Sequence, residues 1–62
     1  MKPLIMNVDD LVFDRVTNIN LNFILEMYET KDGTMIRFIN RGSMTVKQSI
    51  PEIYEEIEGE LR

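Results

Sequence analysis

The chain has neither cysteine nor histidine. The first absence excludes a disulfide framework and any thiolate metal site. The second removes the commonest general base and, together with the first, the commonest zinc ligands. Tryptophan is also missing, and 62 residues hold only three glycines and two prolines. Each of those few breakers therefore says something about where the chain turns. No hydrophobic run approaches a membrane span, and the opening Leu4-Ile5-Met6 is cut off by Asn7, too early for a signal peptide. A cytoplasmic location with no membrane insertion is expected. Without repeats or a linker, residues 1–62 read as a single small domain.

Basic residues are outnumbered, 7 against 11 acidic, for a net charge of −4. The distribution is uneven. Lys31, Arg37, Arg41 and Lys47 share their stretch with Asp32 alone, whereas Glu52, Glu55, Glu56, Glu58 and Glu60 follow with no base among them. A basic hairpin region facing an acidic helix is the expected electrostatic shape.

What is present centres on residues 25–46. Asp32-Gly33 lies between two strand-forming runs and predicts a two-residue type I′ turn, pairing Met27 with Phe38 and Tyr28 with Arg37. For the second turn, a three-residue loop Asn40-Arg41-Gly42 sets Phe38 against Met44 and Ile36 against Val46, with Gly42 left-handed. By the period-two rule Leu25, Met27, Ile36, Phe38, Met44 and Val46 form one inner apolar face. Ser49-Ile50-Pro51-Glu52 then has the spacing of a capping box. Ile50, Ile53, Ile57 and Leu61, with Tyr54 on the same side, predict a helix from about residue 50 to 58–61 that covers that face.

Upstream, Leu4–Val8 and Leu11–Val16 predict a hairpin turning at Asp9-Asp10, which gathers Leu4, Met6, Val8, Leu11 and Phe13. The alternating asparagines of residues 17–22 read as a bulged or looping connection. Residues 21–29 fit a helical period as well, with Asn20 as a cap, although the Asp-Gly register favours a strand. The fold class expected is α+β: an antiparallel sheet, made of an N-terminal hairpin and a three-stranded meander, packed by one C-terminal helix.

The other face of the meander carries Ile24, Glu26, Tyr28, Met35, Arg37, Ile39, Thr45 and Lys47, about half of them large and apolar. A sheet greasy on both sides needs cover on both. The N-terminal hairpin packs there, or the face is a subunit or partner interface, or both hold, one at each end. Its candidate binding residues are Ile24, Tyr28, Met35, Arg37, Ile39, Arg41 and Lys47.

Catalysis is hard to build from this chain. Ser43 and Ser49 have no neighbouring base, Asp9, Asp10 and Asp14 lack the glycine of a calcium loop, and 62 residues hardly wall off a dry pocket. No enzyme activity, metal or cofactor is expected. Four bases and a single sheet aromatic, Tyr28, make nucleic acid an unfavoured partner, and a weak nucleic-acid binder using the basic hairpin stands as the second alternative. A non-enzymatic adaptor or homo-oligomer is the favoured reading. The alternative is a small acidic inhibitor from a phage or mobile element, whose helix occupies another protein's basic groove.

From residue 19 onward the chain resembles the FlbD/SwrD family of small flagellar proteins. The resemblance is carried by Asn20, Ile24, Glu29, Asp32, Thr34 and Ile36, then Asn40 with Gly42, then Thr45-Val46-Lys47-Gln48-Ser49-Ile50, and last the Glu-rich stretch Glu52-Ile53-Tyr54-Glu55-Glu56-Ile57. Asp9-Asp10 stands where the family has Asn-Gly, and Arg41 interrupts the second Asn-Gly. The resemblance implies a non-enzymatic cytoplasmic protein supporting flagellar motor function or swarming, with no catalytic residues.

Overall fold

The computed structural model describes residues 4–61, with side chains for residues 4–59. Strands β1 (Ile5–Asp10) and β2 (Arg15–Asn20) lead through a 3₁₀ turn (Leu21–Phe23) into β3 (Ile24–Glu29), β4 (Thr34–Phe38) and β5 (Ser43–Val46), and the chain ends in helix α1 (Ile50–Leu61). The five strands form one antiparallel sheet in the order β2-β1-β5-β4-β3. The expected α+β class, with hairpin, meander and C-terminal helix, is the one observed.

Helix α1 starts where the capping box places it. The Glu52 N–H donates to Ser49 Oγ at 3.3 Å, and Glu52 Oε1 accepts from the Ser49 N–H at 3.4 Å. That satisfies two donors the first turn cannot bond internally. Ile53 is fully buried among Val8, Ile36, Phe38, Met44 and Val46, with Ile57 packed beside them. Tyr54, expected on the covering side, is 54% exposed. One residue on from Ile53, it is rotated about 100° around the helix and turned off the sheet. The side chain of Leu61 lies outside the described residues.

Both meander registers differ from expectation by two residues. Met27 faces Ile36 and Tyr28 faces Met35, so the first link is the four residues Thr30–Gly33 rather than a two-residue Asp-Gly turn. Ile36 faces Met44 and Thr34 faces Val46, which makes the second link four residues as well. A slip of two keeps every side chain on its face, so hydrophobic pattern cannot select between the two registers. Thr30 makes the difference at the first turn. Its hydroxyl accepts from the Asp32 and Gly33 N–H groups at 3.3 and 3.2 Å, and its own N–H donates to the Gly33 carbonyl at 2.7 Å. Neither Asp32 nor Gly42 is left-handed; among the described residues the only positive φ values are those of Asp14 and Gly33.

A one-residue irregularity between Ile24 and Glu26 corrects two further assignments. The extra residue, Leu25, leaves the inner face and is 57% exposed, while Ile24 moves from the outer face to pack on the core. An odd insertion flips parity where an even slip does not.

The N-terminal hairpin turns later than expected, at residues 11–14, with Asp10 opposite Arg15 and Val8 opposite Thr17. Buried Asp10 holds the turn: its Oδ1 accepts from the Val12 and Phe13 N–H groups at 2.9 and 3.2 Å, and Asp14 closes it at φ 51°. Aspartate suits both posts, since its short side chain bonds nearby backbone and tolerates left-handed φ. Leu11 and Phe13 are consequently not core residues. Thr17–Asn20 continues strand β2 instead of looping, and Asn20 does act as a cap, of the 3₁₀ turn, accepting from the Asn22 N–H at 2.9 Å. This hairpin joins the meander edge to edge: β1 meets β5 through Asp10 opposite Val46, the Leu11 N–H donates to the Thr45 carbonyl, and the Lys47 N–H donates to the Asp9 carbonyl, while its inner residues Val8 and Ile19 join Ile36 and Phe38 in one core. It does not cross over the outer face of the meander.

Candidate interaction surface

With the single helix on one side, the opposite face of the sheet has no covering element among the described residues. One line of side chains runs across it through Tyr28, Met35 and Thr45, on three adjacent strands. Tyr28 is 47% exposed, and the Thr45 hydroxyl donates weakly to the half-buried Met35 thioether at 3.8 Å. Next to this line Arg37 lies directly opposite Glu26 and is ion-paired to it, both side chains about half exposed. A pair so open to water adds little stability but fixes two charges in position. Ile39, just past β4, is 61% exposed while its N–H donates to the Phe23 carbonyl.

The line of Tyr28, Met35 and Thr45 does not stop at β5. Through the Leu11–Thr45 bond it meets the turn after β1, where Val12 and Phe13 are 68% and 69% exposed, with Val16 projecting beside them. Turns of this kind are ordinarily polar. Here three consecutive apolar residues stand in water, pinned from below by Asp10, with the Arg15 guanidinium 5.3 Å from the centre of the Phe13 ring. Beside the turn lies an open groove of about 490 Å³ whose lining includes Leu11, Asp14, Asp9, Val16 and Lys47. Reading the strands alone misses this turn. The signal that marks it is the spacing of Asp10 and Asp14, two turn-competent residues flanking four positions.

Of the residues singled out from the sequence, Tyr28, Met35, Arg37 and Ile39 share the uncovered face. Ile24 has gone to the core. Arg41 sits in the β4–β5 loop with its guanidinium 4.8 Å over the Phe38 ring, and Lys47 lies past the far end of β5 beside Asp9. The four bases thus form no joint patch: Arg37 is paired, Arg41 and Lys47 flank opposite ends of β5, and Lys31 lies in the β3–β4 link. Two of the acidic residues are occupied in a similar way. Asp10 serves its turn, and Asp9 receives Gln48 Nε2 at 2.9 Å while its N–H donates to Gln48 Oε1.

The chain matches no known family model, no curated protein and no solved structure. Among the described residues no helix is long and apolar enough to cross a membrane, and no three potential ligands converge on a metal position.

Proposed function

We propose that the protein is a non-enzymatic adaptor that binds a protein partner, or a second copy of itself, through the uncovered sheet face and the apolar turn next to it. The observation that carries this reading is the Leu11-Val12-Phe13 turn. Its side chains gain nothing by standing in water, yet a buried carboxylate holds their backbone in that position. Rigid aromatic and aliphatic anchors beside a charge-paired rim are the usual anatomy of a binding hot spot. The FlbD/SwrD resemblance would make the partner a flagellar component, tested by the swarming of a deletion strain.

The test compares wild type with Phe13→Asp and with Tyr28→Ala/Ile39→Ser, by light scattering for self-association and by capture from a lysate of the source cell. The expected result is loss of the dimer or of one specific captured protein in both variants. A chain that is monomeric, with all three proteins capturing the same set, overturns the proposal. A second reading, occupancy of a basic groove by the acidic helix, is supported by Glu52, Glu55, Glu56 and Glu58 all facing water on α1. Under it, Glu55→Ala/Glu56→Ala is the variant that loses the partner.

A further inference from the structure

At the end of β2 remote from the apolar turn, a cleft of about 280 Å³ opens between that strand and the β4–β5 loop. Ile19, Phe23 and Phe38 line it with apolar surface, and Asn18, Asn40 and Arg41 supply its polar groups. Among the described residues strand β2 has a neighbour, β1, on one side only. Because the Leu21 N–H donates to the Leu4 carbonyl, the antiparallel alternation turns the N–H and C=O of Asn18 and the N–H of Asn20 away from β1, toward the free edge, while the Asn20 C=O belongs to the 3₁₀ turn that it caps. Asn18 thus presents a main-chain donor, a main-chain acceptor and its own amide at one place.

The two edges of the sheet differ. The β3 edge is interrupted at Leu25 and carries Glu26 and Glu29, devices that discourage strand addition, whereas β2 has no irregularity and no proline, and its one charge, Arg15, lies at the end remote from the cleft. Beside the β2 edge stands Arg41. Its guanidinium lies 4.8 Å over the Phe38 ring, its hydrogen bond is a weak one to the Met44 sulfur at 3.8 Å, and the ion pair found among the described residues belongs to Arg37 instead. In a chain of net charge −4, this is a guanidinium with no carboxylate partner among the described residues.

We propose that the cleft binds an extended peptide as a strand added to β2, its carboxylate taken by Arg41. Nucleic acid fits less well, because the remaining bases lie elsewhere and a run of phosphates meets an acidic molecule. This site is separate from the uncovered sheet face, so Phe13→Asp leaves it intact. The test titrates the ¹⁵N-labelled full chain with three pools of random hexapeptides: free C termini, amidated C termini, and amidated with Asp and Glu omitted. Expected are shifts of the Asn18 and Asn20 backbone amides and of Arg41 Nε with the first pool, and at least tenfold weaker binding of the fluorescein-labelled pool to Arg41→Gln at an unchanged circular-dichroism spectrum. Loss on amidation assigns the carboxylate to the peptide C terminus, and loss only in the third pool assigns it to a side chain; both support the proposal. Undiminished binding of the third pool, indifference to Arg41→Gln, no shift at Asn18 with any pool, or shifts produced by oligo-uridylate in place of peptide overturns it.

Discussion

Two threonines on the inner side of the sheet show how one side chain can stabilise or cost according to its partner. The buried Thr34 hydroxyl donates to the Gln48 carbonyl at 2.7 Å and ties β4 to the approach of the helix. Thr17 Oγ1 is equally shut from solvent and has no hydrogen-bond partner among the described residues. Valine matches threonine in shape, so exchanging each isolates the hydroxyl. Thr34→Val is expected to lose about 1–2 kcal/mol and Thr17→Val to gain about 1 kcal/mol, read from urea unfolding midpoints at constant m. Equal effects of the two would refute the distinction. The glycines separate in the same way. A Cβ at Gly33 would meet the Val46 carbonyl oxygen at 2.3 Å and Leu11 Cδ1 at 2.9 Å, whereas at Gly42 nothing lies within 4 Å. Gly33→Ala must displace main chain, at a cost of roughly 2 kcal/mol or more. Gly42→Ala, by restricting the unfolded chain alone, is expected to raise stability by about 0.4–1 kcal/mol. Thermal unfolding of the two variants side by side decides it. The importance of glycine at position 33 is evident from its Asp-Gly setting, but the reason is a close approach of β5 and not a type I′ turn.

Among the elements, α1 is the most fully legible in advance, because its start depends on four consecutive residues. Ser49→Ala is expected to cost about 1 kcal/mol, and most of that loss should vanish in the Glu52→Ala background, since each residue serves the other. A double-mutant cycle by chemical denaturation measures the coupling; additive losses would show the box to be decorative. Strands β4 and β5 were assigned their correct faces because parity survives an even slip. In strand β3 the irregularity at Leu25 reverses parity for Ile24, and no local composition announces it. In the N-terminal hairpin the apolar Leu11-Val12-Phe13 run looked like strand, and only the pairing of Asp10 with Arg15 makes it a turn. The most exposed part of the candidate surface is therefore invisible to strand alternation, whereas alternation alone picks out Tyr28, Met35, Arg37 and Ile39.

Over the whole molecule, stability of about 3–9 kcal/mol is what 62 residues ordinarily command. The helix contributes one fully buried side chain, Ile53, against the sheet. Ile53→Ala is therefore expected to remove about 3 kcal/mol, a third or more of the total, and to lower helical circular dichroism together with the urea midpoint. If only the helical signal fell while the sheet stayed folded, α1 would be an appendage and not part of one cooperative unit. By itself the sequence determined the α+β class, the inner faces of β4 and β5, the capped amphipathic helix and the lack of thiol and imidazole chemistry. Each of these follows from parity, from spacing along a few residues, or from composition. The tertiary structure alone decided the registers, the outward turn of Leu25, and the laying of the N-terminal hairpin beside β5 in one sheet, leaving the far face bare. Those outcomes rest on contacts such as Asp9 with Gln48, 39 positions apart, and on even slips to which hydrophobic alternation is blind.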